Sequence, residues 1–360
     1  MRILHVVHTP RYSGAEILVT GLTKVHAESG HESRVVSFNP AEDDFLPIIN
    51  QQSSIGVEWY SPKYKLSKLG RLFFIANTKR LFKPNVIFAH SVIPAAYARI
   101  VAPTKVIIIL HAEDNYQSKY LSNIEKVLQF ATKGVIAVSD TAKASYAKAF
   151  THTKTKHIPN GIDVNKFSMN LTVRKTVRDQ LGLSCDSFMI LQVGRIDRIK
   201  QQHLSILAAA PAIKLNPSIR LIFLGLIEDI AYMSEMQTII RDSGLQNNIN
   251  FLGARSDIAE MLCAADLFLM PSVMEAQGIA LIEALASGVP IIASGINNFQ
   301  FATKFEGVSL LSPNEIVSVF TAIQGHILSR KRYMRDLSHM SIEKTGIEYI
   351  DFANSCLFNK

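Results

Sequence analysis

Residues 264–293 spell a strand, a loop, a helix and a second strand, and that order restricts what the whole chain can become. The apolar run 264–270 reads as a buried strand, which Pro271 and Ser272 break. From Gly278 onward, apolar residues return at Ile279, Ile282, Leu285, Ala286 and Val289, a helical spacing. Gly288 and Pro290 close that helix, and 291–293 starts another strand. The same device recurs along the chain. Short apolar runs at 3–8, 34–38, 57–60, 86–89, 106–110 and 134–139 alternate with helical segments, and a second series runs through 188–193, 220–224 and 250–252. Such alternation predicts βαβ units and parallel sheets, an α/β class of fold. A chain of 360 residues suits two domains of ordinary size. The expected division is 1–165, an interdomain linker over 165–175, a second domain over 176–338, and a tail over 339–360 that packs back on the first domain. A helix is expected over 313–328.

Chemistry gathers at the strand-to-helix loops. Glu275 stands on the loop of the 264–293 unit, and Glu283 inside its helix. The amides of Gly278, Ile279 and Ala280 open that helix, have no intrahelical partners, and can hold an anion. Glu283 lies about 7–8 Å farther along, at roughly 1.5 Å per residue. That layout suits a long ligand with a phosphate at its centre and hydroxyls at both ends, such as a nucleotide sugar. The strand 188–193 delivers Gly194, which allows a turn, then Arg195 and Lys200. Two fixed cations at a strand's carboxyl end can stabilise the charge that a diphosphate gains as it leaves.

In the first half, Gly14 sits at a strand-to-helix turn, where backbone can approach a phosphate closely. Strands 86–89 and 106–110 deliver His90 and His111 beyond their carboxyl ends, where ligands of such sheets bind. The segment 66–82 is a helix bordered and faced by Lys65, Lys68, Arg71, Lys79, Arg80 and Lys83. It is either a crossover helix with a solvated basic face or a face that rests on anionic headgroups. Net charge is +8, which favours phosphate-bearing ligands, nucleic acid or an anionic membrane; no nucleic-acid motif accompanies it. No run of eighteen apolar residues occurs, and the three cysteines are scattered, so a spanning helix, a disulfide framework and a zinc site are not expected. A cytoplasmic protein is expected, peripheral on the inner face of the plasma membrane if the basic helix meets lipid.

The stretch Glu275 to Pro290 resembles the Glu-x7-Glu signature of the family 4 retaining glycosyltransferases, with Gly278 and the Glu-Ala-Leu-Ala-x-Gly-x-Pro continuation in register. Gly194 to Lys200 resembles the same family's Gly-Arg-x4-Lys pattern, and 12–16 its Gly-Gly-x-Glu loop, with Ser13 where a first glycine is usual. The loop 294–299 departs from the family's Gly-Gly-x-x-Glu, lacking the second glycine and the acid. The resemblance implies the GT-B fold, two Rossmann-like domains facing a cleft, and transfer of a hexosyl group with retention of configuration. By the same resemblance, Glu275 contacts the donor sugar's hydroxyls and Glu283 the ribose. Arg195 and Lys200 bind the diphosphate together with the amides after Gln277, and His111 touches the sugar. With no nucleophile and no Asp-x-Asp pair evident, it implies a front-face mechanism without a metal or other cofactor. The co-substrate would be a UDP-sugar in preference to a GDP-sugar, and the acceptor a lipid-linked glycan of a bacterial surface polysaccharide. A non-hydrolysing sugar-nucleotide epimerase, a catalytically silent nucleotide-sugar binder and a basic nucleic-acid binder are the alternatives.

Overall fold

In the computed structural model, residues 1–112, 116, 118–312 and 315–358 are described. The chain forms two units, one from Met1–Ile162 with the chain from Met340 onward, the other Asp163–His339. The first unit is built on seven strands: β1 (Arg2–Val7), β2 (Glu32–Ser37), β3 (Glu58–Tyr60), β4 (Val86–His90), β5 (Val106–Leu110), β6 (Gly134–Ala137) and β7 (Thr155–His157). They lie in the order β3-β2-β1-β4-β5-β6-β7 and all pair parallel. The middle residues of β1, β4, β5 and β6 are buried on both sides of the sheet, which is why these strands read as nearly continuous apolar runs. The helix Ile342–Leu357 belongs to this unit and packs on the helix Gly14–Glu28, with Tyr349 5.3 Å from the Phe88 ring. Beneath the helix Val92–Val101, Arg99 makes a bidentate pair with Glu125 at 2.8 and 2.7 Å, and the Tyr146 hydroxyl donates to the same carboxylate. Full satisfaction is what lets these charges be buried.

The second unit has six parallel strands: β8 (Phe188–Val193), β9 (Ile219–Leu224), β10 (Ile249–Phe251), β11 (Leu267–Met270), β12 (Ile291–Ser294) and β13 (Val308–Leu311). Their order is β10-β9-β8-β11-β12-β13. Both units are therefore doubly wound Rossmann-like α/β folds. Each has a topological switch point, between β1 and β4 in the first and between β8 and β11 in the second. Open sheets of this kind bind ligands beyond the strands' carboxyl ends at the switch.

The stretch 165–175, expected as a linker, is structured and belongs to the second unit. A 3-10 helix, Val164–Phe167, leads into the helix Leu171–Gln180. Arg174 and Arg178 pin that helix: Arg174 donates to the carbonyls of Ala264 and Ala265, and Arg178 Nη1 reaches Asp266 at 3.0 Å. These partners lie about ninety residues away, so the local sequence shows only a polar, cationic segment. The expected helix over 313–328 is Ile316–Ser329, and Pro313 lies outside the described residues. So do Glu113 and Asp114, which follow His111.

Candidate functional site

At the switch point of the second unit, the loops after β8 and β11 are tied together. Val273 N donates to Ile199 O at 2.9 Å, joining the two loops through backbone. The β8 loop is held from below by buried amides: Gln192 donates to Lys200 O at 2.8 Å, and Gln202 to Arg195 O at 2.7 Å. Asp197 caps the loop's 3-10 turn by accepting from Lys200 N. Lys200 Nζ forms an ion pair with Glu275, whose other contact is the Ser272 hydroxyl at 3.0 Å. The two side chains are 15% and 11% exposed, so the pair sits at the edge of the interior, not on open surface. Arg195 is turned to Glu228 and, at 3.4 Å, to Asp197, and is more open than Lys200. The fold thus brings Lys200 and Glu275 into contact and holds Arg195 on the same loop as Lys200 but with different partners.

The helix Ile279–Ala286 begins at Gly278, which takes φ 77°. A side chain there would put its Cβ 2.6 Å from the Phe299 ring, so only glycine fits. Leu281 N and Ile282 N already bond to Gly278 O, leaving the amides of Ile279 and Ala280, among the described residues, as the helix's open N-terminal donors. At the other end, Arg332 donates to Ser287 O and Arg335 to Leu285 O and Val289 O, which satisfies the terminal carbonyls and fixes the helix. Glu283 projects from this helix without a hydrogen-bond donor among the described residues. Desolvation pushes its carboxyl up to about 7, against a smaller opposing pull from the Lys166 ammonium.

Several contributors are absent from the sequence reading. Asn298 donates to Glu275 O at 2.6 Å, and Ser294 Oγ donates to Ser272 O, so the loop 294–299 braces the Glu275 loop. The departure from the family pattern at 294–299 was the available signal for these two. Lys166 comes from the segment expected to be linker and had none. Gly225, after β9, has φ 149°, and its Cβ would lie 2.0 Å from Gly194 O. Gly225→Ala is accordingly expected to displace the loop bearing Arg195 and Lys200, lowering kcat at least tenfold and destabilising the fold by roughly 2–4 kcal/mol. Unchanged kinetics and melting temperature in that variant would show the loop to be free to move.

In the first unit, Gly14 opens the helix that follows β1, and the Ser13 hydroxyl bonds the partly desolvated Glu16 within this turn. His90 ends β4 and His111 follows β5, and the two rings stack with centroids 5.3 Å apart. His90 Nδ1 lies 3.0 Å from His111 Nε2, and His5 Nδ1 3.0 Å from His90 Nε2. Burial lowers His111 to about 4 and His5 and His90 well below their ordinary value, so all three are neutral at physiological pH. His90 and His111, which the sequence places at the ends of separate strands, are therefore joined in one buried cluster.

Two family models match the chain: Glycosyltransferase Family 4 over residues 12–166 and Glycosyl transferases group 1 over 173–302. A UDP-Gal:alpha-D-GlcNAc-diphosphoundecaprenol alpha-1,3-galactosyltransferase of Escherichia coli is 33% identical over 177 residues, a match spanning 47% of this chain and 44% of that protein. An alpha-monoglucosyldiacylglycerol synthase of Acholeplasma laidlawii is 24% identical over 99% of both chains. Among solved structures, HepE of Anabaena in complex with UDP and glucose superposes with a TM-score of 0.81 at 22% identity, over 99% of this chain and 100% of that one. Because the two family matches between them run through both Rossmann-like units, the chain belongs to glycosyltransferase family 4 and is a glycosyltransferase of the GT-B fold.

Proposed function

We propose that this glycosyltransferase moves a hexosyl unit from a UDP-sugar, with retention of anomeric configuration, to a lipid-linked acceptor in the assembly of a surface polysaccharide. The observation that carries the reading is the Lys200–Glu275 pair, set at the β8/β11 switch point beside an open helix N-terminus. A diphosphate exchanges for the carboxylate partners of Lys200 and Arg195 and takes the amides after Gln277. Freed from Lys200, Glu275 accepts from hydroxyls of the transferred sugar. Glu283, one helical turn farther along, accepts from the ribose hydroxyls. Within the first unit, the Gly14 turn is assigned to a phosphate and His111 to a sugar hydroxyl, both beyond the carboxyl ends of its strands. The leaving phosphate oxygen, on the face where the acceptor enters, takes the acceptor's proton, so no protein nucleophile is required.

The acceptor class follows from two supports. The E. coli relative is named for a diphosphoundecaprenol acceptor, and the A. laidlawii relative for a diacylglycerol lipid. In this chain, no acidic residue stands between Glu58 and Glu113, a stretch that carries nine lysines and arginines. The helix Lys68–Phe82 in that stretch exposes Leu69, Phe73 and Leu81 among its cations, and Lys79, Arg80, Lys83 and Lys105 line a groove beside it. Apolar anchors within a basic field suit peripheral attachment to an anionic leaflet. Among the described residues no helix is long and apolar enough to cross a membrane.

A panel of UDP- and GDP-sugars, assayed for nucleoside diphosphate release with polyprenyl-diphosphate sugars in anionic vesicles, tests the whole reading. Release that requires the acceptor is expected. Sugar interconversion without an acceptor would make the protein an epimerase, and tight donor binding without release would make it a silent binder. Since fixed cations neutralise the diphosphate, most activity is expected to survive EDTA. Complete loss on chelation, restored by Mg²⁺ or Mn²⁺, would overturn that assignment.

A further inference from the structure

Three histidines form a chain from the core of the first unit to its ligand-binding edge. His5, His90 and His111 belong to the adjacent strands β1, β4 and β5 or directly follow them. Both nitrogen–nitrogen contacts are 3.0 Å, and both ring pairs stack at 5.3 Å with planes inclined by 24° and 16°. A neutral imidazole has one N–H and one bare nitrogen, and each contact needs one of each. The protons can therefore be arranged in only two ways. Either every ring carries its proton on Nδ1 and donates outward, from His5 through His90 to His111, or every ring carries it on Nε2 and donates inward. The inward arrangement ends on His5 Nε2–H, a nitrogen that is buried without a hydrogen-bond partner among the described residues. The outward arrangement leaves a bare nitrogen at that place. An orphaned buried N–H donor is the rarer and costlier of the two.

We propose that His5 and His90 are positioning residues that hold His111 as its Nδ1–H tautomer, so that His111 presents a hydrogen-bond donor to the transferred sugar and cannot serve as a proton acceptor. His111 Nε2 is occupied by the His90 N–H, while the Nδ1 edge belongs to the partly exposed end of the chain. The bond at one ring nitrogen thus decides what the other offers. The ligand atom it meets is an oxygen with a free lone pair, such as a ring hydroxyl acting as acceptor. The proposal rests on the reading above in which His111 meets the sugar.

The tautomers are read directly by ¹⁵N-histidine labelling of the full chain and long-range proton–nitrogen correlation at neutral pH. His111 is expected to show a protonated Nδ1 and a bare Nε2. His90→Phe keeps a stacked ring but removes both nitrogens; His111 should then lose its single tautomer and kcat should fall about tenfold, with UDP affinity unchanged. His90→Gln, whose amide can still donate to His111 Nε2, should restore the Nδ1–H form and most of the turnover. A wild-type His111 protonated on Nε2 overturns the proposal, as does an Nδ1–H form that persists in His90→Phe. If the wild-type resonances are as stated but His111→Ala leaves kcat and donor KM unchanged, the tautomer stands and the contact with sugar fails instead.

Discussion

Lys200→Ala is expected to lower kcat by about 10²-fold or more, with a smaller effect on donor KM. In the proposed reaction the lysine acts on charge that grows as the glycosidic bond breaks, so its contribution would be larger in the transition state than in the ground state. The structure adds a second cost. Without Lys200, the Glu275 carboxylate keeps, among the described residues, only the Ser272 hydroxyl, at a site where both members of the pair are largely covered. In the proposed complex an uncompensated carboxylate beside the diphosphate would repel it, which the lysine otherwise prevents. Glu275→Gln alone should lower kcat while leaving UDP affinity near that of the wild type. Because the two residues share one ion pair, the double variant should lose much less than the product of the single losses. Steady-state kinetics of all four proteins with calorimetric UDP titrations measure this. Wild-type turnover in Lys200→Ala would remove the residue from the reaction, and strictly multiplicative losses would show that the pair is not a functional unit.

Glu283→Gln should weaken the donor and stabilise the protein, both in a pH-dependent way. The carboxyl is raised to about 7 from an ordinary 4.5, so the folded state holds this proton more tightly than the unfolded chain. Stability therefore falls as pH rises from about 4.5 to about 7 and stays at the lower level above that. At about 1.4 kcal/mol per pH unit, discounted for partial exposure, the cost of the charged form is roughly 1–2 kcal/mol. The neutral amide avoids it, so Glu283→Gln should melt a few degrees higher at pH 8 and at nearly the same temperature at pH 5. In the proposed complex the ribose hydroxyls would donate to the Glu283 carboxylate, which favours the charged form. UDP-sugar affinity of the wild type should accordingly rise between pH 6 and 8, whereas the variant binds more weakly with a flat profile and an almost unchanged kcat. If Glu275→Gln loses nucleotide affinity and Glu283→Gln keeps it, the two roles are exchanged. A variant no more stable than wild type at pH 8 would show that the carboxylate is well solvated.

What local spacing can encode, the sequence determined. The period of apolar residues set most strands and helices of both units, since side chains three or four apart share a helix face whatever surrounds them. The loops bearing Arg195, Lys200, Glu275 and His111 were legible for the same reason, because each follows a strand within a few covalent bonds. Partnerships were decided by tertiary structure. Lys200 and Glu275 are 75 residues apart and meet because β8 and β11 are neighbours across the switch in strand order. His5, His90 and His111 meet because β4 lies between β1 and β5. The segment 165–175 looked like a linker because Arg174, and Arg178 just beyond it, find their carbonyls only after the second sheet has formed. Glu283 was readable as a carboxylate on a helix, but its raised pKa depends on how much water the folded unit removes from it and on a lysine brought alongside from position 166. Desolvation and long-range pairing are properties of the packed chain, and no spacing along the sequence carries them.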